Sequence, residues 1–348
     1  MTTTEENTKR IFEIKKQLGE DMLILAHHYQ RDEIIQFADA VGDSLKLAQI
    51  AEKNKRAKYI VFCGVHFMAE TADILTEDWQ KVLLPALDAG CPMADMADRA
   101  QAEICWDIIT KEFGESIVPI TYINSKAEVK AFVGLHDGTT VTSGNAKKVL
   151  SWGLGYKDRV LFLPDQNLGR NTAVELGIPV EHMALYDPHK QSLEYSCPKE
   201  DVKMILWDGF CCLHNDITTD HVEKARAAVP DAKVIVHPEC RHEIVKISDG
   251  SGSTEYLIKA VKAGESGSKW VVGTESNLVE RIKRENPDKS VYLLDPHSIC
   301  KNMNKTNTAN LLDTLEGILK GDFSKQIVVD RETAENSIKS LNTMLSLS

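Results

Sequence analysis

The stretch Ile24-Leu25-Ala26-His27-His28-Tyr29-Gln30 (ILAHHYQ, 24–30) runs an apolar segment straight into two histidines and a tyrosine. Leu23, Ile24 and Leu25 read as the interior of a buried strand, and a buried strand does not end in titratable and hydroxylated rings without a use for them. Two further stretches repeat the pattern, SIVPITYINS (116–125) and AKVIVHPEC (232–240). The polar pairs at the three strand ends are His27/Tyr29, Tyr122/Asn124 and His237/Glu239.

The likeness extends downstream of each pair. A hydroxyl residue at a helix start follows in GDSLKLAQIAEK, TSGNAKKVL and GSGSTEYLIKAVK, with Ser44, Ser143 and Thr254 lying 17, 21 and 17 positions after His27, Tyr122 and His237. A second strand comes next (KYIVFCG, DRVLFLP, KWVVGTE), and then a third that reaches a cysteine (KVLLPALDAGC, VKMILWDGFC, KSVYLLDPHSIC). Cys91, Cys211 and Cys300 stand 64, 89 and 63 residues beyond the first anchors. The middle copy is longer by a loop at GLHDG and an insertion at about 178–201.

Alternating strands and helices predict an α/β fold with parallel sheets. Four features in the same order, three times over, predict three repeated parallel-sheet αβα units about a pseudo-threefold axis, with a metal cluster at the centre. Their predicted bounds are 1–95, 96–215 and 216–303, followed by a helical segment at 304–348 that packs back onto the body. Right-handed crossovers and the tendency of ligands to bind at the carboxyl ends of parallel strands place all the polar pairs and all three cysteines in one site.

Composition narrows the function. The 348 residues carry a net charge of -11, with 43% hydrophobic and 27% charged residues. An acidic chain of this kind excludes the basic surface that nucleic acid requires. No apolar run approaches the roughly 18 residues of a membrane helix, and MTTTEENTKR lacks the apolar stretch of a signal peptide, so a cytoplasmic protein with no membrane association is expected. Of the eight cysteines none forms a C-x-x-C, and a reducing compartment disfavours disulfides.

Three strand-end thiols suit an iron–sulfur cubane with one iron free of protein ligands, or a zinc ion with an open fourth position. Spacing alone admits Cys211 or Cys212, while Cys63, Cys105, Cys197 and Cys240 read as structural. Ser44, Ser143 and Thr254 serve either as helix caps or as three parts of an anion site for a small, multiply negative substrate. Glu239 is the candidate general base, its pKa raised toward neutrality by burial. Tyr29 and Tyr122 are candidate proton donors, His237 a further catalytic group, and His214 a polar group at the rim.

The ordered set LAHHYQ, GDS, GVHFMAET, GCPMA, YIN, TSGNA, PDQNLGR, WDGFCCLH, HPEC, GST and GTE resembles the quinolinate synthase family over about residues 10–305. That resemblance implies a central [4Fe-4S] cluster with three cysteine ligands and one open iron site. It implies condensation of iminoaspartate with dihydroxyacetone phosphate to quinolinate, with loss of phosphate and two waters, on the route from aspartate to NAD. Functional coupling to an L-aspartate oxidase is implied as well. Alignment of G-x-C-x-x-H with GFCCLH selects Cys211 beside Cys91 and Cys300. The implied substrate contacts are His27, Ser44, Tyr122, Asn124, Ser143, His237, Glu239 and Thr254. The chain departs from members with a C-x-x-C-x-x-C near the third ligand, having Cys300 alone in HSICKNMNK. The alternatives are another cluster-dependent hydro-lyase and a non-enzymatic iron–sulfur sensor of dicarboxylates.

Overall fold

A computed structural model describes residues 4–347. The chain folds as two compact units, one comprising the chain up to Cys91 with Ile299–Asp330, the other Pro92–Ser298 with the chain from Arg331 on.

The first unit is built on β1 (Met22–His27), β2 (Ala40–Gly42), β3 (Tyr59–Cys63) and β4 (Lys81–Leu83), in the order β2-β1-β3-β4 and all parallel. A short antiparallel strand, Gln326–Ile327, extends the β4 edge. Strands covered on both faces read as continuous apolar runs, and Ile24, Leu25, Ala26, Ile60, Val61 and Phe62 are all buried. Ile11 and Ile14 of the helix Thr4–Leu18 and Leu311, Leu315 and Ile318 of the helix Thr308–Lys320 cover one face. Their three- and four-residue spacing puts each set on one side of its helix.

The second unit holds two sheets. One comprises β5 (Ile117–Tyr122), β6 (Thr139–Val141), β7 (Arg159–Leu163), β8 (Met183–Asp187), β9 (Ser192–Tyr195) and β10 (Met204–Trp207), in the order β6-β5-β7-β10-β8-β9. The other comprises β11 (Lys233–Val236), β12 (Gly250–Ser251), β13 (Lys269–Gly273) and β14 (Ser290–Leu293), in the order β12-β11-β13-β14. The insertion at 178–201 supplies β8, parallel beside β10, and β9, which returns antiparallel at the edge. Tyr195 from this hairpin hydrogen-bonds Glu112 at 2.6 Å, and Cys197 packs against the same core.

All three sheets begin second-first-third strand; the place beside the third goes to the fourth strand in the sheets of β1 and β11 and to β10 in that of β5, and the sheets of β1 and β11 share one local device. Asp39 Oδ2 accepts the Ile24 N–H at 2.7 Å where β2 enters beside β1. Asp249 Oδ2 accepts the Val234 N–H at 2.7 Å where β12 enters beside β11. The matching strand position in β5 is Pro119, which has no N–H to satisfy, and Gly138 occupies the place of the aspartate. A Cβ on Gly138 would lie 2.0 Å from the Pro119 carbonyl oxygen.

The segment 304–348 contains two long helices: Thr308–Lys320 in the first unit and Arg331–Ser346, which packs on Ala127–Leu135, in the second. Ser337 and Ser340 on the latter are fully buried and hydrogen-bond to the carbonyls of Ala127 and Lys130. Among the described residues no helix is long and apolar enough to cross a membrane.

The Pro119/Gly138 contact predicts that Gly138→Ala lowers stability by about 1–3 kcal/mol, the scale of forced repacking. Gly155→Ala, with open space at its Cβ, should be neutral or slightly stabilising. Urea unfolding of the two variants measures the contrast, and equal effects would contradict it.

Candidate active site

The polar residues predicted from the sequence do fall at or just past the carboxyl ends of the first strands. In the first unit His27 ends β1 and is buried, and the Tyr29 N–H donates to His27 Nδ1 at 3.2 Å. In the second unit the Glu239 N–H donates to His237 Nδ1 at 3.4 Å, so both histidines sit in the same two-residue turn. An Nδ1 that accepts leaves the proton on Nε2, which makes each ring a donor on its outer edge.

The loop Val236–Arg241 carries Glu239, which is 3% exposed, among three partners in the second unit. The Tyr122 hydroxyl at the end of β5 donates to Glu239 Oε1 at 2.6 Å. His214 Nδ1 bonds Oε2 at 2.7 Å, and its Nε2 bonds Thr274 Oγ1 at 3.1 Å. His237 stacks on His214 with ring centroids 4.6 Å apart and an interplanar angle of 16°. The result is one hydrogen-bonded chain, Thr274–His214–Glu239–Tyr122, drawing on both sheets of the unit.

The electrostatics differ from the sequence expectation. Burial pushes the Glu239 carboxyl up, yet His237, His214 and the Tyr122 hydrogen bond outweigh it and hold the group well below the usual carboxylate range. Burial also drives His237 down to about 3, against the pull of the Glu239 carboxylate. Glu239 is therefore ionised, not poised near neutrality. The expectation of a raised pKa considered burial alone and missed two charge-assisted hydrogen bonds.

His214 also departs from its expected place. It is 1% exposed and lies at the centre of the chain of bonds, not at a rim. Thr274, in the quoted GTE, is the functional candidate that sequence reasoning left out, while His214, in GFCCLH, is one it set at the rim. The motifs contained both, but nothing in their spacing said that they touch.

Helix capping does not account for the hydroxyl residues. Asp43 caps the helix Ser44–Lys53 and Ser253 caps Thr254–Ala263, so Ser44 and Thr254 occupy first helical positions. Ser143 lies before Asn145, the residue preceding the helix Ala146–Tyr156. First-turn N–H groups have no partner within a helix, which leaves donors available beside these hydroxyls. Thr254 Oγ1, Ser251 Oγ and Asn124 Oδ1 are buried with no hydrogen-bond partner among the described residues. Buried polar atoms in that condition are costly unless a ligand completes them.

All eight cysteines are free thiols. Cys91 and Cys300 belong to the first unit and Cys211 to the second; all three are partly exposed. Cys63, Cys105 and Cys240 are buried, and burial pushes their thiols up, Cys63 to about 12. Those three are poor sources of the thiolate a metal requires, whereas the partly exposed set has the right donor chemistry. Cys211, His214 and Glu239 offer ligand atoms within 4.8 Å of one another. Both ring nitrogens of His214 and both oxygens of Glu239 are already engaged in hydrogen bonds.

Residues 9–346 match the family model described as quinolinate synthetase A protein. A quinolinate synthase of Listeria innocua is 53% identical over 347 residues, covering 99% of this chain and 95% of that protein. Those of Anoxybacillus flavithermus and Bacillus anthracis are 51% and 52% identical, over 99% of this chain and 94% of each relative.

Because its folded pKa lies below the ordinary 4.5, Glu239 contributes stability above that pH and loses it as pH falls toward the folded value. Tyr122→Phe should lower the stability of the metal-free chain by about 1.5–3 kcal/mol at neutral pH. The difference from wild type should persist in mild acid and shrink only as pH falls below the ordinary carboxylate range toward the folded value, where the carboxyl is protonated. Denaturant melts at a series of pH values would show it, and a difference independent of pH would refute the assignment.

Proposed function

The chain belongs to the quinolinate synthetase A family, and from that membership we propose that it condenses iminoaspartate with dihydroxyacetone phosphate to quinolinate, releasing phosphate and two waters. The observation that carries the site assignment is the Glu239 carboxylate, buried between Tyr122 and His214 and within 4.8 Å of a Cys211 thiol. It supports a proton-transfer apparatus set against a metal-binding cysteine.

Cys91, Cys211 and Cys300 would hold a [4Fe-4S] cluster, whose open iron supplies a Lewis acid for the departure of hydroxyl. The shared strand order of the three sheets supports reading the chain as three related units, each ending in one of these cysteines. Cys212 is exposed and begins the short helix Cys212–Asn215, which favours Cys211 as the ligand.

The chain's own residues do the rest. Glu239, already ionised, accepts a proton from the carbon beside the carbonyl or imine. His214, backed by Thr274, holds the carboxylate in place and stabilises its charge. Tyr122 returns a proton to a departing or carbonyl oxygen, and the family resemblance assigns Tyr29 the same role. His27 and His237 present Nε2–H donors to substrate oxygens. Ser44, Ser143 and Thr254, at or just before helix starts, receive phosphate and carboxylate, and Asn124 adds its unpartnered amide oxygen to the polar lining. Coupling to an L-aspartate oxidase would deliver the unstable imine.

Anaerobic, cluster-loaded protein given both substrates should form quinolinate, and its absence would favour a sensor or a different hydro-lyase. Serine at Cys91, Cys211 or Cys300 should abolish the iron–sulfur signal and turnover, while Cys105→Ser and Cys212→Ser keep the signal. Glu239→Gln should retain the signal and lose roughly a hundredfold or more in turnover. Loss of the signal in Cys212→Ser but not in Cys211→Ser would reverse the ligand assignment.

A further inference from the structure

PDQNLGRN (164–171) takes no part in the chemistry above, yet it lies between the two loops that do. Asp165 caps the helix Gln166–Glu175, its Oδ1 accepting the Leu168 N–H at 2.7 Å. The other oxygen of the same carboxylate accepts the Cys211 N–H at 3.2 Å. The Gln166 N–H donates to the Gly209 carbonyl at 2.9 Å. A Cβ on Gly209 would lie 2.4 Å from the Pro164 carbonyl oxygen, so the helix start and the Cys211 loop meet backbone to backbone.

Six residues further, about 9 Å along the helix axis, Asn171 reaches the second loop. Its Nδ2 donates to the Pro238 and Cys240 carbonyls, both at 2.8 Å, bracketing Glu239 on either side. Its Oδ1 faces His242 Nδ1 at 2.9 Å. The two carbonyls fix the amide, because a flipped Asn171 would put its oxygen against both of them.

We propose that Asn171 is a positioning residue for the reaction. It straps the His237–Cys240 loop to the same helix that Asp165 ties to the Cys211 loop, so one rigid element sets the Glu239 carboxylate relative to the Cys211 thiol. This rests on the reading of Glu239 as the base. Without the strap, Glu239 keeps its bonds to Tyr122 and His214, but its loop loses the two bonds that flank it. Displacements of about 1 Å at a reacting group cost up to a hundredfold in rate.

The test uses anaerobically purified holoenzyme with Asn171→Ala, Asn171→Asp and, as a control, Ala173→Gly, which weakens the same helix without touching either loop. Three quantities are measured: kcat and KM for both substrates, the electron paramagnetic resonance signal of the reduced cluster, and amide hydrogen exchange across residues 236–242. Both Asn171 variants should lose roughly tenfold to a hundredfold in kcat, with KM little changed and the cluster signal retained. Exchange across 236–242 should accelerate in both. Ala173→Gly should lower the melting temperature while leaving kcat and that exchange as in wild type. Unchanged exchange across 236–242 in Asn171→Ala overturns the proposal, as does wild-type kcat in that variant while Glu239→Gln is inactive. Near-normal turnover in Glu239→Gln would instead remove the base assignment, and with it the proposed role in the reaction, while the exchange data still decide whether Asn171 holds the loop.

Discussion

A carboxylate that is 3% exposed survives as an anion only where fixed donors replace the water it has lost, and Glu239 depends on two of them. Tyr122 arrives from the end of β5 and His214 from the short helix Cys212–Asn215 after β10, while Glu239 follows β11. The two sheets of the second unit must therefore present their strand ends to one point. Removing either donor strands a buried charge, which is costlier than losing an ordinary hydrogen bond. The same arrangement holds the imidazole of His214, since its second nitrogen is taken up by Thr274 after β13.

Chemistry gathers at these ends because parallel strands force it there. Apolar residues fill strands covered on both faces, and the first positions free to be polar are those just past the carboxyl end. His27 with Tyr29 and His237 with Glu239 use one turn to do this, with the N–H two residues on satisfying the imidazole Nδ1. Capping by Asp43 and Ser253 then frees the adjacent Ser44 and Thr254 from that duty. The unpartnered hydroxyls of Ser251 and Thr254 can donate to a bound acceptor, and the Asn124 amide oxygen can accept from a bound donor.

Much of this was legible because it is local. The runs MLILAH, IVPITY and KVIV became β1, β5 and β11, and the alternation of strand and helix gave parallel sheets. The insertion was visible as extra length, but its edge hairpin was not, since β8 enters beside β10 out of sequence order. Glu239 is legible from its place after a strand, whereas its low pKa depends on His237 and His214 and on Tyr122, which lies 117 residues away. His214 was placed at the rim for the same reason: its neighbours Glu239 and Thr274 come from later in the chain. Asn171 left no sequence signal beyond its motif, because its bonds run to main-chain carbonyls that any residue could supply.

The charge on Glu239 is the central claim, and isotope-edited infrared difference spectroscopy reads it directly. Comparison of wild type with Glu239→Gln, both carrying ¹³C-labelled glutamate, isolates the bands of this one side chain. The account predicts an ionised carboxylate band at neutral pH that persists in mild acid, below the pH at which exposed glutamates are protonated. A carboxylic acid carbonyl band at neutral pH would show a neutral Glu239 and contradict it.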